Sequence, residues 1–130
     1  MSSLEITEDN FNSTIEDNAI VILDFWAEWC GPCKSFAPVF EAASNLHPDI
    51  VFGKIDTEAQ QGLAGAFGIR SIPTLMILRE QIMIFRESGA LPASALEELI
   101  SQVRALDMDE VRANVAAQEN EESSEESDQS

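Results

Sequence analysis

Tyrosine is absent from this chain of 130 residues, histidine occurs once, and only 7 lysine and arginine side chains face 24 aspartates and glutamates. The net charge of −17 opposes binding to nucleic acid or to an anionic lipid surface, so proteins are the expected partners. No apolar run approaches the roughly 20 residues that a membrane-spanning helix requires. Residues Met1 to Asn10 include Glu5, Glu8 and Asp9 and lack the basic segment and apolar stretch of an export signal, so a cytoplasmic location is expected. Cysteine is nearly as scarce as histidine: Cys30 and Cys33 are the only two. A structural zinc needs four ligands, and the one other soft ligand is His47, so no metal is expected. A stapled extracellular domain would need several bridges, which one cysteine pair cannot supply.

What is present is a Trp-Cys-Gly-Pro-Cys run at residues 29 to 33, placed just after the apolar stretch Val21 to Trp26. A strand feeding a helix whose first turn carries a C-x-x-C pair reads as a redox dithiol. The apolar runs Ala19 to Phe25, Ile50 to Ile55, Thr74 to Leu78 and Ile82 to Phe85 are short and rich in Ile, Val and Leu, as expected of strands buried on both faces. Helical spacing fills the gaps: Phe36, Val39, Phe40 and Ala43 within Lys34 to Leu46, an Ala- and Gln-rich stretch from Ala59 to Phe67, and Leu96, Leu99, Ile100 and Val103 within Leu91 to Ala105. Strands alternating with helices predict an α/β fold with parallel crossovers. The last two strands are separated only by Arg79, Glu80 and Gln81, too short for a crossover, so they should form an antiparallel hairpin in a mixed sheet.

The chain is long enough to bury one core, and its charge divides unevenly. Residues 107 to 130 carry −8 and residues 1 to 106 carry −9. Asp107 followed by Glu110 forms a capping box ahead of Met108, Val111 and Val115, which predicts an additional helix over 107–118. From Glu119 onward no apolar residue occurs, and a disordered acidic tail is expected over 119–130. Solubility is the simplest role for that tail, and docking of a basic partner is the alternative.

Three segments recur together in one known family: Asp-Phe-Trp-Ala-Glu-Trp-Cys-Gly-Pro-Cys from Asp24, Gly-Ile-Arg-Ser-Ile-Pro-Thr-Leu from Gly68, and Gly89-Ala90. In order and spacing the chain resembles the thioredoxins, of bacterial type, over roughly residues 4 to 106 and so over a single domain of residues 1–106. The resemblance implies a thioredoxin fold, with a central mixed β-sheet flanked by helices. It also implies a protein-disulfide reductase that acts as an electron carrier in cell redox homeostasis. No cofactor is expected on the chain itself. A thioredoxin reductase using NADPH and FAD would recharge it, the other partners would be disulfide-containing client proteins, and a monomer is expected.

The thiolate is the attacking species, and a helix N-terminus with its unpaired N–H groups lowers a thiol's pKa, which singles out Cys30 as nucleophile. Cys33, three residues on, is the resolving thiol. Asp24 interrupts an otherwise apolar strand, so it is expected inward with a raised pKa. The resemblance gives it the role of proton acceptor for Cys33, and an acid at a strand edge is the alternative. Lys54 matches the family lysine that modulates this aspartate, although an exposed strand-end lysine would read the same way. Pro73 is expected to be cis and to face the disulfide, as implied by the family. Trp29, Gly31, Pro32, Ile72, Pro73, Gly89 and Ala90 should form an apolar, substrate-binding rim around Cys30. Gly31 and Pro32 also suit plain helix initiation. Trp26 is expected to pack beside the site, Pro38 to kink its helix, and His47 to lie on the surface at a helix end without a role. Ser88 departs from the usual apolar residue and is expected to weaken the groove, and the hairpin lacks the common turn glycine. A non-catalytic binding module would use the same surface without turnover, and an oxidant would differ between the cysteines, where Gly-Pro is the reducing pair.

Overall fold

The computed structural model describes residues 3–128. The elements in order are β1 (Ser3–Glu5), α1 (Phe11–Asp17), β2 (Ile20–Trp26), α2 (Gly31–Leu46), β3 (Val51–Asp56), α3 (Gln61–Ala66), β4 (Thr74–Arg79), β5 (Ile82–Ser88), α4 (Ala93–Ala105) and α5 (Met108–Asp128). Five strands form one sheet in the order β1-β3-β2-β4-β5. β3 runs parallel to both β1 and β2, whereas β4 is antiparallel to β2 and β5. The mixed sheet and terminal hairpin expected from loop lengths are therefore found. The hairpin turns through Glu80 at φ 51° and Gln81 at φ 69°, the two left-handed residues of a primed turn. Right-handed strand twist selects that turn even where no glycine is available.

β2 lies at the centre and explains why its sequence reads as a continuous apolar run: every residue from Ile20 to Phe25 is buried. Strand alternation sends Val21, Leu23 and Phe25 to one face, where they join Ile6, Ile15, Ile55, Met76 and Leu78. Phe11 and Phe67 close this layer, their rings 5.5 Å apart, and Phe67 meets Phe25 edge-on at 6.0 Å. The opposite face carries Ile22 beside its β3 partner Phe52. There α2 buries Phe36, Phe40 and Ala43 at helical spacing, and Phe40 packs edge-on against Phe52 at 5.3 Å. Asp24 and Trp26 share this second face by alternation, so both lie on the side of the sheet that α2 covers.

β1 and α1 were not anticipated. β1 has only three residues, and α1 is a seven-residue helix with two buried side chains, Thr14 and Ile15, too short for its spacing to stand out. His47 stands at a helix end as expected, as the C-cap of α2, but it is not idle: its Nε2 lies 2.7 Å from Glu97 Oε2.

The chain divides into two compact units, Met1–Leu99 and Ile100–Ser130. In the second, Asp107 Oδ1 accepts from the backbone N–H groups of Asp109 at 3.0 Å and Glu110 at 3.3 Å, the anticipated cap. α5 then continues to Asp128, past the expected end of helix at residue 118. Residues 116 to 128 hold no glycine or proline, and glutamate is their commonest residue, so backbone propensity tolerates helix even where no apolar stripe remains. Residues 129 and 130, the end of the expected acidic tail, lie outside the described residues.

Candidate active site

The turn between β2 and α2 holds both sulfurs. Cys30 is the N-cap of α2, in extended conformation, and its Sγ accepts from the backbone N–H of Cys33 at 3.2 Å. Pro32 occupies the first helical turn, where a missing N–H is no loss and its fixed φ suits the helix. Cys30 and Cys33 are joined as a disulfide with Cα atoms 5.2 Å apart. Both are nearly buried, at 3% exposure each. With Ala27 they form a small apolar cluster against which Trp26 and Ile72 pack. Trp26 therefore lies beside the site as expected. Pro38 sits inside α2, where it withholds one helical hydrogen bond.

The loop before β4 approaches from the other side. The Ile72–Pro73 peptide bond is cis, and the Ile72 carbonyl oxygen lies 3.7 Å from Cys30 Sγ. Pro73 itself is buried, so the surface it was expected to offer is supplied by Ile72 and by the backbone. Gly89 is at φ +111°, a conformation that side chains disfavour, and its N–H donates to the Pro73 carbonyl at 2.8 Å. Gly31, Pro32, Gly89 and Ala90 are exposed around the pair. Trp29 is the most prominent rim residue, 69% exposed, with its indole N–H donating to Glu58 Oε1 at 2.9 Å. A cleft of about 180 Å³ runs from Trp29 along Thr57, Ile69, Arg70, Ser71 and Ile72.

Asp24 is 1% exposed, and among the described residues neither of its carboxylate oxygens has a hydrogen-bond partner. Burial pushes its pKa up to about 7, against a lesser opposing pull from the Lys54 ammonium. Lys54 is Asp24's register partner on β3, so the two side chains share the face under α2. The lysine is half-buried, and its Nζ sits 4.7 Å over the Trp26 ring in a cation–π contact. It is thus not an exposed strand-end lysine.

Three residues of this neighbourhood were not singled out as site residues. Glu58 and Arg86 lie in stretches without a motif, and Ser88 reads as a weak point of the groove. Ser88 instead bonds across to Ser71. Among the described residues no group of three or more His, Cys, Asp or Glu side chains lies together as a metal site, and no helix is long and apolar enough to cross a membrane.

The geometry of a dithiol at a helix N-terminus facing a cis-proline loop agrees with comparison to known proteins. The thioredoxin family model matches residues 2–102. A Streptomyces coelicolor relative that carries the name thioredoxin 2 is 61% identical over 118 residues, covering 91% of this chain and 88% of its own. The Bacillus subtilis thioredoxin is 37% identical over 103 residues, 78% of this chain and 98% of its own. Among solved structures, a mutant thioredoxin from Halobacterium salinarum superposes with a TM-score of 0.76 at 32% identity, covering 82% of this chain and 94% of that one. Spinach chloroplast thioredoxin f gives 0.73 at 33% identity, with 80% and 95% covered. The chain belongs to the thioredoxin family, and it is a protein thiol-disulfide oxidoreductase of the disulfide-reducing kind whose redox centre is the Cys30–Cys33 pair.

Proposed function

We propose that Cys30 is the nucleophile, Cys33 the resolving thiol and Asp24 the proton acceptor of client reduction. In the reduced form the Cys30 thiolate attacks one sulfur of a client disulfide. A Cys30–client bond forms, the client S–S bond breaks, and the departing client sulfur leaves as a thiolate. Cys33 then loses its proton to ionised Asp24 and attacks Cys30 Sγ. The Cys30–Cys33 bond forms, the mixed disulfide breaks, and the second client thiolate departs, so two electrons have passed to the client. Lys54 modulates this step by holding positive charge over the face that Asp24 occupies. Trp29, Gly31, Pro32, Ile72, Gly89 and Ala90 form the client-binding rim, the buried Pro73 sets the cis bend of its loop, and an extended client backbone pairs beside Ile72.

The observation that carries this reading is the near-burial of both sulfurs at the N-terminus of α2, with the Ile72 carbonyl 3.7 Å from Cys30. A partner laid across that loop meets Cys30, the N-cap residue whose sulfur faces the Ile72 carbonyl, and Cys33 follows three residues later in the same turn. Recharging falls to a thioredoxin reductase, which uses NADPH and FAD and presents its own dithiol to the same face. The chain works as a monomeric electron carrier in the cytoplasm, with residues 1–106 as the catalytic domain and the acidic segment after it serving solubility. Cys33→Ser tests the assignment: the variant should accumulate covalent client complexes through Cys30, released by added dithiol. Accumulation instead in Cys30→Ser, through Cys33, would reverse the roles.

A further inference from the structure

The segment from Phe67 to Thr74 carries Ile72 past Cys30, yet residues 67–73 belong to no helix or strand. What holds it in place comes from β5, the edge strand on that side of the sheet. Arg86 and Ser88 are two residues apart on β5 and so project from the same side of the strand. Arg86 donates from Nη1 to the Phe67 carbonyl and from Nη2 to the Gly68 carbonyl at 3.1 Å, a fork that grips the start of the segment. Gly68 is at φ +62°, so the chain reverses where it is gripped. Near the end of the segment the Ser71 hydroxyl bonds that of Ser88 at 2.9 Å, and Thr74 Oγ1 lies 3.3 Å from the same Ser88 oxygen. Thr74 Oγ1 also donates to the Ser71 carbonyl at 2.5 Å, closing a small hydroxyl network directly beneath Ile72.

We infer that Arg86 and Ser88 are positioning residues for client recognition, bracing the Ile72 backbone at its distance from Cys30 by anchoring the segment at both ends. The inference rests on the proposed role of that segment in client binding. Neither residue reaches the sulfurs. Their effect therefore falls on disulfides presented in a peptide backbone and spares disulfides that touch the sulfur alone. A serine at 88 is then a working part of the groove, bonded to Ser71, where an apolar residue would take that partner from the Ser71 hydroxyl.

The test uses the full chain, reduced beforehand, in single turnovers against two probes: a short peptide closed by a disulfide, and an aromatic disulfide reagent without peptide bonds. The ratio of the two second-order rate constants cancels any general loss of folded or active protein. Ser88→Ala and Arg86→Ala should each lower the peptide-to-reagent ratio about fivefold, the size expected from losing a polar contact at the bound geometry. Ser88→Thr, which keeps the hydroxyl, should restore it. Ser71→Ala combined with Ser88→Ala should be no worse than Ser88→Ala alone, which has already lost the Ser71–Ser88 bond. Ile72→Ala serves as reference. If Ile72→Ala lowers the ratio while Ser88→Ala and Arg86→Ala leave it unchanged, the brace is refuted and the client-binding segment stands. If Ile72→Ala also leaves it unchanged, the segment does not bind clients and both readings fall.

Discussion

Replacing Asp24 by asparagine should stabilise the protein by an amount that grows with pH, and the direction follows from the burial of this one carboxyl group. In unfolded chain the group has its ordinary value of 3.8, whereas in the fold it stands at about 7. Between those values the folded form holds a proton that the unfolded form has released, so stability falls as pH rises through the interval and levels off above it. Each unit is worth about 1.4 kcal/mol, so the interval amounts to a penalty on the order of 4 kcal/mol at neutral and higher pH and none below about pH 4. Asparagine does not titrate, so its advantage over the wild type should open across this window. The absolute offset has a second source: an amide among groups that offer Asp24 no hydrogen bond costs about 1 to 3 kcal/mol. Comparing denaturant unfolding of the two oxidised proteins at about pH 4 and about pH 8 removes that offset, as well as the pH dependence of every other carboxylate. A difference that does not change between the two pH values, or that shrinks toward high pH, would refute the burial of a titrating Asp24.

Other consequences are read in activity and packing. Client reduction should slow below about pH 7 as Asp24 takes up its proton, and Asp24→Asn should lose that inflection while keeping Cys30 reactive toward alkylating reagents. Lys54→Gln removes the charge that opposes the rise in the Asp24 pKa, so the same inflection should move to higher pH in stopped-flow assays of reduction. Gly53→Ala would place a methyl group 2.5 Å from Ile6 Cγ1 and 3.1 Å from Leu23 Cδ2 in the core, and should lower unfolding stability by about 1 to 3 kcal/mol. An unchanged unfolding midpoint would mean that β1 does not seat against β3 as described.

The parts of the structure that were legible in the sequence are those in which local chemistry and tertiary role coincide. β2 reads as a strand because burial on both faces demands an unbroken apolar run, and Asp24 stands out because it interrupts that run. The dithiol reads as a helix N-terminus because proline tolerates the first turn and the cysteine spacing is one turn. The parts that were not legible depend on contacts between distant residues. β1 is three residues of strand that exist only by pairing with Ser3 opposite Phe52, and α1 is shorter than its own periodicity can reveal. Arg86 and Ser88 look like the exposed half of an edge strand until the chain is folded back upon them at Phe67 and Ser71. Trp29 announces itself as a rim residue, but Glu58, which holds its indole, lies 29 positions away without a motif. α5 runs past residue 118 for a different reason: its later turns have no apolar stripe to mark them, yet nothing in the stretch interrupts backbone helix propensity.

The reduction potential of the Cys30–Cys33 couple bears most directly on the assignment as a disulfide reductase. Equilibration against a dithiol buffer, followed through the fluorescence of Trp26 and Trp29 beside the pair, measures it without assuming any client. A reductase requires a value near about −270 mV, a figure characteristic of thioredoxins rather than one worked from this fold. A value between about −180 and −120 mV, the range of disulfide isomerases and periplasmic oxidants, would mean that electrons flow the other way.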